Sequence, residues 1–533
     1  MTFIQKIGMS IFLLALAILV GSLFMGNFSL DATALETSIG DDYQYKYIQK
    51  YTSEQIGVEH SNVFSFASGL GDILAKANTD IKADLAAQDI DQGNGEYWSK
   101  IIQDYKITET KYKVAKASAT GFIINQRNIF ILAFFLGIAG ALMYIIPKGQ
   151  GVAGIQNDGI QTSSLHSRGL IGITFGVFLV SFYLVLYFAP YYMVNWIILT
   201  EPLSLAMSGG SASQWFLYGF LYTVAVAVMG IRMIIKYRHN NYQLVRTVSV
   251  IFFQTAFAFV IPQILASLNR PAPDLKNIWP LDYGFFYKDN LNTLMSDGTL
   301  GYAMMIWGII LFVVGVPLFT FFYGKRWYCS WVCGCGGLAE TLGDPYRQQS
   351  DKTTKAWRIE RWVINGVLGF AVLMTGLFLF TFFTGTENIL MFSSGNVKTT
   401  YGFLISSMFA GVVGTGFYPL MGNRVWCRFG CPLAGYFGII QKFRSRFRIT
   451  TNSGQCISCG NCSTYCEMGI DVRSYAQKGQ DIVRSSCVGC GVCSAVCPRG
   501  VLKLENADFD INVRTQELRA LHIDSNGVTL MNE

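Results

Sequence analysis

Eight apolar runs, 7–26, 129–146, 169–190, 214–235, 247–266, 301–323, 362–384 and 401–421, dominate the sequence. Each is close to the roughly 20 residues that a helix needs to cross a bilayer core. A soluble fold would have to wrap every one of them in other protein. The chain has little to wrap them with, since 51% of its 533 residues are hydrophobic and only 14% are charged. The expected fold class is a polytopic all-α membrane protein of about eight transmembrane helices. The first run exceeds the roughly 7–15 apolar residues of a signal peptide and no A-x-A-like site follows it, so residues 1–26 read as a retained anchor.

Positive charge in short loops marks the cytoplasmic side. Lys325, Arg326, Arg347, Lys352, Lys355, Arg358 and Arg361 crowd 324–361, and Lys236, Arg238 and Arg246 follow the fourth run. By contrast, 191–213 has no Lys or Arg, and 385–400 has only Lys398. The reading is therefore N- and C-termini inside, 27–128 an extracytoplasmic domain, and 129–421 a seven-helix membrane domain. The net charge of +7 needs no nucleic acid to explain it. It follows from the inside loops and from "KFRSRFR" (442–448), whose alternation suits anionic headgroups.

All thirteen cysteines fall on the inner side of this topology. Thiols in a reducing compartment are more often ligands than disulfide partners. The C-terminal part carries "CISCGNCSTYC" (456–466) and "CVGCGVCSAVCP" (487–498), each C-x2-C-x2-C-x3-C. Three thiolates at this spacing wrap one iron–sulfur cube and the fourth reaches the neighbouring one. Cys456, Cys459, Cys462 and Cys497 would hold one [4Fe–4S] cluster, and Cys487, Cys490, Cys493 and Cys466 the other. Gly460, Gly489 and Gly491 suit a backbone turning tightly around a cluster. Zinc knuckles also use spaced cysteines, but they close as paired C-x2–4-C or with histidine, and neither run has one. Residues 450–505 thus resemble a dicluster bacterial ferredoxin, an α+β domain. One departure is Glu467, which follows Cys466 where the motif usually has proline.

Two further motifs align without a gap. "GKRWYCSWVC" (324–333) and "GNRVWCRFGC" (422–431) each follow an apolar run and pair Cys329 with Cys427 and Cys333 with Cys431. If helical, cysteines four apart share a face, and two such pairs make a four-thiolate metal site at the membrane surface. The alternative is four ordinary buried thiols. Against it stand the repeat, the lack of cysteine inside the runs, and Arg326 and Arg424, which would help keep thiolates ionised. Cys335 is extra. Ligand, transient metal acceptor and inert thiol are all open to it.

With the C-terminal module, paired C-x3-C(P) motifs resemble the membrane-bound polyferredoxin family. It includes the quinol-oxidising membrane subunit of periplasmic nitrate reductase, the nitrous oxide reductase maturation membrane protein, and the copper-reducing accessory protein of cbb3-type oxidase assembly. The resemblance covers roughly 245–505. It implies a bacterial inner membrane location, two [4Fe–4S] clusters and electron transfer between a cytoplasmic donor or acceptor and quinone or a membrane redox partner. Whether such a chain is an electron carrier or an oxidoreductase subunit stays open. Gly334 departs from the pattern, since a proline stands at that place in the second copy, Pro432.

The other segments say less. No histidine lies within a run, so a bis-histidine haem b is excluded. Gln254, Gln263 and Asn365 suit a quinone pocket or interhelical hydrogen bonds. The aromatic loop 277–290 reads as an external, interfacial anchor. Residues 27–128 read as helical, with Ile73, Ala77, Ile81 and Leu85 at steps of four, and no motif is recognised in the tail 506–533. Two rival functions remain: copper handling by Cys329, Cys333, Cys335, Cys427 and Cys431 for an oxidase or reductase, and redox-linked sensing through 27–128.

Overall fold

The apolar runs fold as helices. The computed structural model describes residues 2–39, 41–53, 55–90, 97, 100–150, 169–386, 388–389, 392–506, 521–524 and 527–530. Among these, seven helices are long and apolar enough to cross a membrane: Phe3–Ser22, Arg127–Gln150, Leu170–Phe188, Gln214–Lys236, Asn241–Ser267, Thr299–Tyr323 and Thr354–Thr384. This is a multi-pass membrane protein. The eighth expected run is helical as well but is not among these seven. Ser394–Gly402 continues into a π-helical stretch, Phe403–Val413, and then Gly414–Gly416. The helix stops at Phe417, and Tyr418–Met421 is a separate turn. Pro419 has no N–H to carry the ladder back to Thr415.

The chain divides into two units. The first comprises Met1–Lys276, Gly337–Pro345 and Gly395–Asn423. Here Phe3–Ser22 packs closely on Arg127–Ile145 through small residues, as helices in lipid do. A Cβ on Gly8 would lie 2.7 Å from the Gly140 carbonyl oxygen, and one on Gly140 the same distance from that of Gly8. The Asn195 amide fixes the end of the first helix by donating to the carbonyls of Ser22 and Met25, each at 2.7 Å.

The described residues of 27–128 fold into helices over a three-stranded antiparallel sheet in the order Glu59–His60, Asn27–Ser29, Ala119–Thr120. The longest helix, Val63–Ala87, starts at Asn62, whose side chain accepts from the Ser65 N–H. Its inner face carries Ile73, Ala77, Ile81 and Leu85, all buried. The same core takes in Phe130, Val194 and Ile198, so this stretch shares its interior with the helices of its unit.

The second unit comprises Asn277–Gly336, Tyr346–Ser394 and Arg424–Glu533, and it holds every cysteine. The aromatic loop, expected as an interfacial anchor, packs on the spans of its own unit. It folds back along Thr299–Tyr323, with the Phe285 ring against Gly308 and the Trp279 ring 5.1 Å from that of Phe312. Trp279 also donates from Nε1 to Thr375 Oγ1 at 2.9 Å. Packing on the two spans buries the large apolar area of these rings.

At the C-terminal end, Phe447–Thr451 pairs antiparallel with Leu502–Asn506, Phe447 opposite Asn506 and Thr451 opposite Leu502. Between the strands lie the short helices Asn461–Thr464 and Val492–Ala495, each opened by a glycine in left-handed conformation, Gly460 or Gly491. Phe447 faces inward from the basic strip, under the Arg326 guanidinium at 4.6 Å from the ring centre, while Phe443 stays exposed.

Candidate metal centres

The sequence repeat is a structural repeat. Gly324 and Gly422 end the preceding helices at φ of +64° and +93°, where L side chains are strained. One helical turn follows each, Arg326–Cys329 or Val425–Phe429. The second cysteine then closes the loop from outside that turn. The Cys333 N–H donates to the Tyr328 carbonyl at 2.8 Å, and the Cys431 N–H to that of Trp426 at 2.9 Å. So the cysteine pairs do not share one helix face, as a continuous helix would require. The next helices begin at once, Gly334–Thr341 and Pro432–Arg444. Gly334 and Pro432 therefore hold the same first position, and Cys335 holds that of Leu433.

Both copies converge on one small pocket lined by Cys329, Cys333, Cys335, Cys427 and Cys431, with Arg424, Tyr328, Trp426 and Leu281. Cys329, Cys333, Cys427 and Cys431 are buried and Cys335 partly so. Burial pushes the thiols of Cys329, Cys427 and Cys431 up from their ordinary value. For Cys335 a hydrogen bond with Cys333 is the larger cause, followed by burial. Neutral thiols are the resting state of such a site without metal, and a metal ion must displace their protons.

Two cations oppose that trend. Arg424 donates from Nη1 to the Cys329 carbonyl at 3.2 Å and to Cys427 Sγ at 3.7 Å. Lys325, itself buried, donates from Nζ to the Ala434 carbonyl at 2.8 Å and is felt by Cys329 and Cys431. Arg326, expected to serve the first pair, instead covers Phe447 and donates to Asn506 Oδ1 at 3.1 Å. The adjacent lysine takes its place.

The two C-x2-C-x2-C-x3-C runs bring their cysteines together in crossed sets. Cys466, Cys487, Cys490 and Cys493 line a second pocket with Glu467, Gly489 and Gly491. Burial raises the Cys487 thiol to about 11. In the other set, burial raises Cys462 to about 11, and its neighbouring thiols are Cys497, Cys459 and Cys456. Gly489 turns at φ +64°, and Ser458, at the corresponding place in the first run, adopts φ +59° with Gln477 donating to its Oγ at 2.7 Å. Cys459 is exposed and Ile457 beside it is 58% exposed, whereas Cys487 and Cys493 are buried. Four thiols around each centre is the donor set that an iron–sulfur cube requires.

Contacts join the membrane-edge thiols to the second set. Ser330 Oγ donates to the Val488 carbonyl at 2.8 Å. Gln441 accepts from the Lys325 N–H at 2.7 Å and donates to the Cys487 carbonyl at 2.8 Å. Arg424 and Glu467 form an ion pair at 3.0 Å. Sequence reasoning flagged Glu467 as a departure but missed its partners, and it missed Lys325, Ser330 and Leu281. The sole hint for Leu281 is the aromatic density of its loop.

Family models match both regions. A 4Fe–4S binding domain covers 305–352 and 401–450, taking in both copies of the repeat, and a 4Fe–4S dicluster domain covers 455–502. The methylamine utilization ferredoxin-type protein MauN of Methylobacillus flagellatus is 26% identical over 235 residues, 43% of this chain and 76% of its own. MauN of Methylorubrum extorquens is 26% identical over 224 residues, 39% and 72% of the two chains. YccM of Escherichia coli, named for electron transport, is 26% identical over 174 residues, 29% and 44%. No solved structure matches. The chain thus carries a 4Fe–4S binding domain and a 4Fe–4S dicluster domain, and it is similar to ferredoxin-type and electron-transport proteins.

Proposed function

We propose that this chain passes electrons between a cytoplasmic partner and quinone or a membrane redox partner, by way of three thiolate-held centres. Cys456, Cys459, Cys462 and Cys497 would hold the first [4Fe–4S] cluster, and Cys466, Cys487, Cys490 and Cys493 the second. Cys329, Cys333, Cys427 and Cys431 would hold a third iron–sulfur centre at the membrane edge. Clusters of this type supply one-electron transfer, while the protein supplies burial, hydrogen bonds and spacing. The observation that carries this reading is the continuity of the sites: Ser330, Gln441 and the Arg424–Glu467 pair tie the membrane-edge thiols to the second set. The exposed Cys459 loop is the natural port for a soluble partner, since electrons leave most readily where a cluster is least covered. The basic residues of 324–361 support a cytoplasmic location for this face, with both termini on the same side, in a bacterial inner membrane.

The test is electron delivery in proteoliposomes that contain a quinone. Protein reduced from the aqueous side should reduce the quinone, and Cys459→Ser or Cys427→Ser should slow this at least tenfold. Undiminished quinone reduction in both variants would contradict the pathway.

Copper handling is the second reading, favoured by one observation, the fifth thiol in the membrane-edge void. Soft thiolates suit Cu(I). A variant with Cys456, Cys459, Cys462 and Cys466 changed to serine should then bind Cu(I) tightly and lose that binding on Cys335→Ser. No tight binding would remove this reading.

A further inference from the structure

The two four-cysteine runs differ in one telling place: Cys497 is followed by Pro498, but Cys466 is followed by Glu467. The Glu467 carboxylate is wholly buried between two wholly buried arginines, with Arg347 Nη1 2.7 Å from Oε2 and Arg424 Nη2 3.0 Å from Oε1. Ser350 Oγ fixes the backbone by donating to the Glu467 carbonyl at 2.7 Å.

Stability is a weak reason for such a triad, because buried ion networks can often be replaced by apolar residues at little cost. Its placement is more informative. Glu467 lines the void of Cys466, Cys487, Cys490 and Cys493, while Arg424 lines the membrane-edge void beside Cys427. Reduction adds a negative charge to a centre. A fixed carboxylate nearby opposes it and a guanidinium favours it, more strongly in a buried setting than in water.

We propose that Glu467, held between Arg347 and Arg424, is a positioning charge that sets the reduction potential of the Cys466/Cys487/Cys490/Cys493 centre against that of the Cys456/Cys459/Cys462/Cys497 centre. This rests on the iron–sulfur reading above. The carboxylate ligates nothing in this role. Its negative charge lowers the second potential, the arginines raise it, and the net charge of the triad fixes the gap between the two clusters.

The test is a redox titration of full-length, anaerobically purified protein followed by electron paramagnetic resonance, with signals assigned through Cys459→Ser and Cys490→Ser. Glu467→Gln should raise the potential of the second centre and leave the first unmoved, while Glu467→Asp should stay near the native value. The double variant Glu467→Gln/Arg347→Gln keeps the native net charge and should bring the potential back towards native. An unmoved second potential in Glu467→Gln, an equal shift of both centres, or a larger shift in the double variant would overturn the proposal. If Glu467→Gln does not assemble, the double variant and Glu467→Asp decide it. Loss of the second centre in all three, with the first retained, would make Glu467 a structural residue and also overturn it. Absence of any cluster signal in the native protein would instead refute the iron–sulfur reading.

Discussion

Cys335 gained its meaning from one hydrogen-bond pattern. Because Cys333 and Cys431 close equivalent loops, Cys335 stands where the second copy has Leu433, and both line the same void. A ligand set drawn from the repeat leaves Cys335 out. Cys335→Ser should therefore keep the iron content of the membrane-edge centre, whereas Cys427→Ser should lose it, as read by iron analysis per chain. The thiols also predict a pH response. Cys462 and Cys487 rise to about 11 from an ordinary value of 9.0. A folded thiol harder to ionise than an unfolded one stabilises below pH 9 and loses that contribution as pH climbs towards 11. The metal-free protein should melt at lower temperature at pH 10.5 than at pH 7.5, and cluster loading, which removes those protons, should abolish the difference. Equal melting of the metal-free protein at both values would refute this. At this scale the spacing of the cysteines was legible in the sequence, while the place of Cys335 was not. The partners of Glu467 were not, because Arg347 lies 120 residues earlier and only the fold brings it near.

Among the elements, the helix ends at Gly324 and Gly422 decide where the membrane-edge thiols stand. At Gly324 a Cβ would lie 2.6 Å from Phe447 Cδ1 and 2.8 Å from Gln441 Oε1, besides the left-handed strain. Gly324→Ala should cost about 1–2 kcal/mol in backbone strain alone, and displace Gln441 from Lys325 and Cys487. The expected readout is loss or broadening of the membrane-edge signal, with the Cys456/Cys459/Cys462/Cys497 signal unchanged. In the other unit, Asp80 accepts from Lys50 and Tyr51, and Asp84 from Tyr47 and Tyr43; these hydrogen bonds hold both carboxylates below their ordinary range. Groups so lowered stabilise above about pH 4, the unfolded value, and lose that contribution as pH falls further. The near-ultraviolet tyrosine signal of this region should weaken below pH 4 in the native chain, and Asp84→Asn should make it less dependent on pH there. Helix periodicity made Val63–Ala87 visible in the sequence. The fold-back of 277–290 was not visible, because an aromatic-rich loop has the same composition whether it lies in an interface or against a span.

Across the whole chain, hydropathy gave the spans to within one and the cysteine runs gave the chemistry. The run 401–421 is helical too, but Pro419 lies beyond the end of its helix, which stops at Phe417. Topology should be testable by labelling single cysteines introduced into a chain otherwise free of reactive thiols. Position 76, on the helix Val63–Ala87, is predicted to label from outside intact cells, and position 352 only after the membrane is opened. The most direct measurement of the central claim is the Mössbauer spectrum of iron-57-enriched, anaerobically purified protein, compared with that of Cys427→Ser. Three cubane centres predict about twelve irons per chain, with about one third of the cubane signal lost in the variant. A cubane signal unchanged by Cys427→Ser, or zinc in place of iron and sulfide, would contradict it.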